Sequence, residues 1–410
     1  MIYPVFGNNF ITKRDKRIYL DEINAEFIYD NYKTPLFVFL KRKIVENIQR
    51  LNQVLDNVFE KRDLYYSVKS NYLPAILNAI NEQGVKFSTV SRYELDILRS
   101  NNISTDEIIF GSPYLDFKVL NEIAKSKNPT ICVYSVNQIN ILESFAQKHN
   151  IECLDVLLRV KSPNSNSHLG LDLDSDQLIV LKKLLDGCSR IRVLGILCHF
   201  GTQINRIKTI KKNSEYISSV LRELENRSIC EAQIINLGGG LPIASSLKKE
   251  RLMDYFQIQR DIFTDSGFSG LKVILEPGRY IIGDAGCCIL RIVDQTNNKG
   301  KHAGRVETNL YLNGGLHILP RFSKNPLRFY NINAPLEHYN NPVNFYGIEL
   351  IEQDVLAKNY NFTSRTEIGD GVLITNCGAY SHTFSNRFPY YFPKAICIDH
   401  DQHNYIHYLK

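Results

Sequence analysis

A lysine stands at the end of an apolar run, in Tyr65-Tyr66-Ser67-Val68-Lys69-Ser70-Asn71. Leu64 to Val68 reads as the interior of a strand, so the ammonium at its tip loses hydration. Desolvation of that kind lowers a lysine pKa toward neutrality. A neutral amine is the nucleophile that Schiff-base chemistry with an aldehyde requires. Four further strings hold side chains with chemistry to offer: Cys198-His199-Phe200-Gly201-Thr202-Gln203, Gly238-Gly239-Gly240-Leu241-Pro242, Glu276-Pro277-Gly278-Arg279 and Cys377-Gly378-Ala379-Tyr380. Three successive glycines let the backbone approach a ligand and bare its N–H groups. The Glu276 carboxylate suits a protonated ring nitrogen. Arg279 offers a planar fork for phosphate or carboxylate. His199 has a ring to stack, and Thr202 and Tyr380 have hydroxyls that can reach a phosphate. Taken singly, each also fits a plainer role: an edge charge, a tight turn, an internal ion pair, a core histidine or a packed tyrosine.

The elements between these strings bring them together. Short runs rich in Val, Ile, Leu and Phe predict strands at about 63–69, 84–88, 107–110, 130–134, 154–160, 192–199, 232–237 and 272–276. Helical patterns separate them, at about 73–83, 92–100, 116–127, 137–149, 176–186, 206–226 and 246–266. Strands alternating with longer helices imply a parallel sheet. Eight of them imply a closed (β/α)8 TIM-like barrel, whose chemistry sits at the C-terminal ends of the strands. Lys69, His199, the triple glycine and Glu276 fall at the ends of strands one, six, seven and eight. After residue 283 the pattern changes to short strands spaced by Asn, Pro and Gly, which predicts an all-β domain. The expected division is a barrel over 36–283, with 1–35 and 284–410 forming the β-domain. Residues 43–58 read as an amphipathic helix leading into strand one.

A chain of 410 residues is long enough for both domains. Its formal charge of +6 is spread without a basic stripe interleaved with aromatics, which argues against a nucleic-acid partner. Nine scattered cysteines without a CxxC give no support to a metal site and suit a reducing cytoplasm. The N-terminal sequence lacks a basic-then-apolar leader, and no run approaches the about 18 apolar residues of a membrane span. A cytoplasmic protein without membrane contact is therefore expected.

In order, the strings YSVKSN, HFGTQ, GGGLP, EPGRY and CGAYS resemble the pyridoxal-phosphate-dependent decarboxylases of fold type III, the diaminopimelate and ornithine decarboxylase group. The likeness spans roughly residues 30–405. It implies an alanine racemase-like, two-domain fold with pyridoxal 5'-phosphate bound through Lys69. His199 is then expected to stack on the ring. Thr202, Gly239, Gly240, Arg279 and Tyr380 would surround the phosphate, and Glu276 would pair with the pyridine nitrogen. Lys69, His199 and Glu276 form the catalytic set. Arg321 and Asp354 are the substrate candidates. The implied reaction exchanges the Schiff base onto the amine of an amino acid or a derivative of one and releases CO2. The resemblance also implies a head-to-tail homodimer with active sites completed across the interface.

The chain departs from this family where a cysteine acid is expected. The matching stretch is Gly347-Ile348-Glu349-Leu350-Ile351-Glu352-Gln353-Asp354, with leucine at the cysteine position. If the stretch is extended, alternation puts Glu352 on the face of Leu350 and Glu349 on the other. Glu349, Glu352, Cys377 or a water could then supply the proton in place of the cysteine, and the shared face favours Glu352 over Glu349. Ser88 stands where many relatives have aspartate, and residues 314–321 lack the arginine-proline pattern of the diaminopimelate enzymes. Two other readings are a racemase-like reaction on the same fold and a non-catalytic decarboxylase homologue. Glu276 favours decarboxylation over racemisation, because racemases of this fold place arginine near the ring nitrogen. Lys69, retained with the phosphate and ring groups, argues against the non-catalytic reading.

Overall fold

The computed structural model describes residues 3–5, 7–162, 167–299, 306–335, 338–401 and 406–409. Eight parallel strands close into a barrel, from Arg62–Ser67 through Lys86–Thr89, Ile108–Gly111, Thr130–Val133, Leu154–Arg159, Ile191–Leu197 and Ile234–Asn236 to Lys272–Leu275, which pairs back onto the first. The strands are short and filled with β-branched and aromatic residues, as fits sheets buried on both faces. Tyr65, Ile109, Cys132, Leu157, Leu194, Ile234 and Ile274 pack inside the barrel. Outside it the helices lay down apolar stripes. In Lys41–Val58 the buried side chains Ile44, Ile48, Leu51, Val54, Leu55 and Val58 recur at helical spacing. Burial of each such side chain contributes about 1.5–3 kcal/mol. Ser91 begins Arg92–Ser100 by accepting from the Glu94 N–H, while the Glu94 carboxylate reaches back to the Val90 N–H.

The expected strand Leu36–Leu40 forms, but its hydrogen bonds do not go to the barrel. It pairs with Gly286–Lys299 and Lys394–Ile398 in a nine-stranded mixed sheet. The long strand Gly286–Lys299 organises that sheet. Its first half pairs with Leu36–Leu40 and Gly371–Thr375, its second half with Val306–Leu312. A four-stranded antiparallel sheet, Tyr3–Val5, Asn8–Arg14, Arg17–Leu20 and Ile23–Asn24, contributes Ile11, Ile18 and Leu20 to the core beneath it, against Leu36, Val38, Ile289, Leu373 and Ile396. The fold is thus a (β/α)8 barrel joined to a β-domain.

Two barrel strands end two residues earlier than their composition predicts. The first stops at Ser67, and Lys69 lies in the single 3-10 turn Val68–Ser70. The Ser67 N–H goes to the Pro277 carbonyl, Ser70 Oγ donates to the Ser67 carbonyl at 2.7 Å, and the Tyr66 hydroxyl donates to the Asn71 carbonyl at 2.9 Å. These bonds divert the chain from the ladder. The sixth strand stops at Leu197, and His199 follows it as loop.

Candidate active site

At the C-terminal mouth of the barrel a cleft of about 440 Å³ is lined by Lys69, His199, Thr202, Gly239, Gly240, Glu276, Arg279 and Tyr380. A larger hollow of about 860 Å³ lies between residues 29–34 and Arg291, Ile292 and Val293, on the β-domain, away from every one of these groups. The barrel mouth is the place where the chemistry converges.

Lys69 touches water through the open mouth, yet its amine lies deep among protein atoms. Desolvation is the main influence lowering its pKa, with Arg159 acting in the same sense and Glu276 and Glu94 opposing. The direction is the one Schiff-base chemistry needs. Burial lowers the His199 pKa to about 3, with Lys69 and Arg159 adding to the shift, so the ring is neutral near pH 7. Its Nδ1 accepts from the Gly239 N–H at 3.3 Å. The other ring nitrogen therefore carries the proton.

Glu276 is held on both oxygens. Ser88 Oγ donates to Oε2 at 2.5 Å, and Asn236 Nδ2 donates to Oε1 at 2.7 Å. Asn236 is fully buried, and its own Oδ1 accepts from the Gly238 N–H at 2.8 Å. One side chain thus orients both the carboxylate and the glycine loop. The sequence alone marks neither Ser88 nor Asn236 as a donor. The signal available was a polar residue at the C-terminal end of an apolar barrel strand, and the same signal marks Arg159, which also lines the cleft.

Arg279 is buried. Its Nη2 donates to the Ser323 carbonyl at 2.6 Å and its Nη1 to Asn325 Oδ1, while its Nε–H has no partner among the described residues. Its guanidinium lies 5.2 Å from the centre of the Tyr380 ring. Tyr380 comes from the β-domain, with φ at +60°, an uncommon backbone for a bulky residue. Its N–H donates to the Ser70 carbonyl at 2.8 Å, and Asn71 Nδ2 donates to the Gly378 carbonyl at 3.0 Å. The two domains are therefore pinned beside Lys69.

Arg321 and Asp354, expected to meet substrate, do not line the cleft. Arg321 donates through Nε and Nη2 to the Val355 carbonyl, beside a separate hollow of about 340 Å³. Asp354 is buried and accepts from the Leu316 and Glu349 N–H groups at 2.8 and 2.9 Å, so it ties two loops of the β-domain together. These bonds fold residues 347–354 into a turn rather than an extended stretch, which removes the basis for the alternation of Glu349 and Glu352. Leu350 projects from this turn at 96% exposure, and Glu352 is also exposed. Glu349 turns inward, 2.5 Å from His317 Nδ1. Cys377 is buried with its Sγ toward the Gly286 and Ile374 carbonyls, and burial pushes its thiol pKa well up.

A barrel carrying a lysine, a neutral histidine, a glycine loop and a held carboxylate at one mouth defines a class. The chain belongs to the pyridoxal-dependent decarboxylases: residues 41–283 match the family's pyridoxal binding domain. It is a carboxy-lyase that uses pyridoxal phosphate. The diaminopimelate decarboxylase of Methanocaldococcus jannaschii is 24% identical over 93% of this chain and 90% of its own length. The lysine/ornithine decarboxylase of Selenomonas ruminantium is 23% identical over 95% and 96%. A crystal structure of the M. jannaschii diaminopimelate decarboxylase superposes with a TM-score of 0.84 at 20% identity, covering 98% of this chain and 95% of that one.

Proposed function

We propose that Lys69 carries pyridoxal phosphate and that the chain releases the α-carboxylate of an amino acid as CO2. The observation that carries this reading is the meeting in one cleft of a desolvated lysine and a carboxylate held on both oxygens. The residues present suit the cofactor. A Cβ at Gly239 would stand 2.7 Å from the Glu276 carbonyl oxygen, and one at Gly240 would stand 2.6 Å from that of Gly201, so only glycine shapes this cradle. The unpartnered Arg279 Nε–H beside it suits an anion. These groups, with Thr202 and Tyr380, would hold the phosphate; His199 would cover the ring face and Glu276 would meet the ring nitrogen.

When bound, pyridoxal phosphate supplies the electron sink for the bond pair left as CO2 departs. Glu276 would hold the proton at the ring nitrogen, and the Ser88 and Asn236 bonds fix the orientation of its carboxylate. A carboxylate in this position favours decarboxylation over a racemase-like outcome. Neutral His199 would cover the ring without adding charge, and the bond from the Gly239 N–H occupies its Nδ1. Lys69 lines the same cleft, and its lowered pKa would suit it to move a proton at the substrate Cα. Leu350 has no proton to give, and Glu349 is engaged by His317. We assign the chain to a head-to-tail homodimer. The nine free cysteines favour a reducing, cytoplasmic setting. Among the described residues no helix is long and apolar enough to cross a membrane.

Borohydride reduction of the holoprotein should fix the cofactor on the peptide holding Lys69. The Glu276→Gln variant should retain that label while CO2 release falls by about 10²-fold or more, the scale of a lost electrostatic partner. A label on a different lysine would refute the Lys69 assignment, and unchanged turnover in the variant would refute the role of Glu276.

A further inference from the structure

We infer that the substrate side chain ends in an anionic group, met by Lys324 at the rim of the cleft. The inference rests on the decarboxylase reading and names the substrate class. It follows from the charges lining the cleft: Lys69, Arg159, His199, Glu276, Arg279 and Lys324. Lys69 is committed to the cofactor, Glu276 to the ring nitrogen and Arg279 to the phosphate, and His199 is neutral. Arg159 and Lys324 remain, and both are cations. Arg159 Nη1 lies 2.8 Å from the Tyr134 hydroxyl, and neither cation forms an ion pair among the described residues.

Glu276 is the one carboxylate among the cleft-lining residues, and both of its oxygens are occupied. Glu94, whose charge reaches Lys69, is buried behind the turn and bonded to the Val90 N–H. A substrate with a distal ammonium would therefore bring a cation toward unpaired cations. One with a distal carboxylate would supply the missing counter-charge. Every amino acid has an α-carboxylate, and that group departs, so discrimination rests on the far end.

Lys324 is fixed for this role. It adopts φ +52°, and its carbonyl accepts from Gln203 Nε2. The preceding Ser323 carbonyl is held by Arg279, and the Asn325 amide donates to the Ala379 carbonyl at 2.7 Å. Barrel and β-domain together lock the backbone of residues 323–325 while the lysine side chain stays exposed. Phe322 and Phe384 line the same cleft with their rings edge to face, 4.7 Å apart, an apolar wall for the methylenes between the two ends of a substrate.

Holoenzyme should be assayed for CO2 release from L-2-aminoadipate, L-norleucine and L-lysine, which share a main chain and end in carboxylate, methyl and ammonium. Aminoadipate should exceed lysine in kcat/KM by about ten-fold or more, the scale of exchanging opposite for like charge at a partly screened contact. Glutarate should bind the holoenzyme by calorimetry, more weakly as salt rises and undetectably in Lys324→Glu. The same variant should reverse the order of aminoadipate and lysine. Lysine preferred by the native enzyme would overturn the inference and leave the decarboxylase reading intact. So would a Lys324→Glu variant that weakens only pyridoxal phosphate binding, since Lys324 would then belong to the phosphate. Release from none of the three, with glutarate unbound, overturns the inference; failure to label Lys69 as well would overturn the decarboxylase reading.

Discussion

His199 and His382 show how burial of single residues at the domain junction couples to pH. Burial lowers their pKa values from 6.5 to about 3 and about 4. As pH falls below about 6.5 the unfolded chain takes up protons that the folded chain refuses. Their contribution to stability is therefore full above that pH and is lost progressively below it. Glu94 acts in the opposite sense. Burial raises it from 4.5 to about 7, so its contribution is present below pH 4.5 and is lost as pH rises toward 7. The two effects oppose each other between pH 4.5 and 6.5; below 4.5 that opposition is gone, and carboxylates whose pKa values the fold lowers, among them Glu122 and Glu143, add to the loss. Urea unfolding of the apoprotein should accordingly show a steeper loss of stability below pH 4.5 than above it. His199→Gln, which cannot take up a proton, should reduce the acid slope by about one proton, or about 1.4 kcal/mol per pH unit. Equal slopes in the two proteins would mean that His199 is protonated in the fold.

At the scale of elements, the seventh strand and its loop show what sequence makes legible and what it hides. The triple glycine identifies a close approach, and the structure supplies the object approached, the carbonyl of Glu276. Gly239→Ala should therefore displace the loop from the eighth strand and raise the cofactor dissociation constant by about ten-fold or more, with the far-ultraviolet spectrum preserved. Native affinity in this variant would show that the loop yields at little cost. The barrel strands were readable because each is a short apolar run between helical patterns. Their exact ends were not, because Ser70 and Asn236 set them through side-chain bonds to nearby backbone. Ser88 and Asn236 are not legible as partners of Glu276 because the three lie at the ends of separate strands, and only assembly of the barrel brings them within hydrogen-bonding range. The turn at 347–354 was hidden for a similar reason: Asp354 shapes it by binding the N–H of Leu316, a residue far away in the chain.

Over the whole molecule, exposed apolar side chains gather on one part of the β-domain. Leu350 is 96% exposed and Tyr391 93%, and Ile351, Phe388 and Phe392 are exposed beside them. The two segments that bear them are fastened together: the Tyr390 hydroxyl donates to the Ile348 carbonyl at 2.8 Å, and the Tyr390 ring lies 5.5 Å from that of His317. A contiguous patch of this kind marks an interaction surface. Phe384, in the same stretch of chain, lines the cleft, so the homodimer proposed above would use this patch and enclose the substrate. Sedimentation equilibrium should therefore give a species near twice the 47.2 kDa of the chain. Introducing Leu350→Asp with Tyr391→Glu should shift it toward monomer, because a charge buried without a partner opposes association. Specific activity of this variant should fall on dilution, while Lys69 in the monomer still takes the borohydride label. A monomeric native enzyme with undiminished activity would assign the patch to a different partner and place every group needed for turnover within one chain.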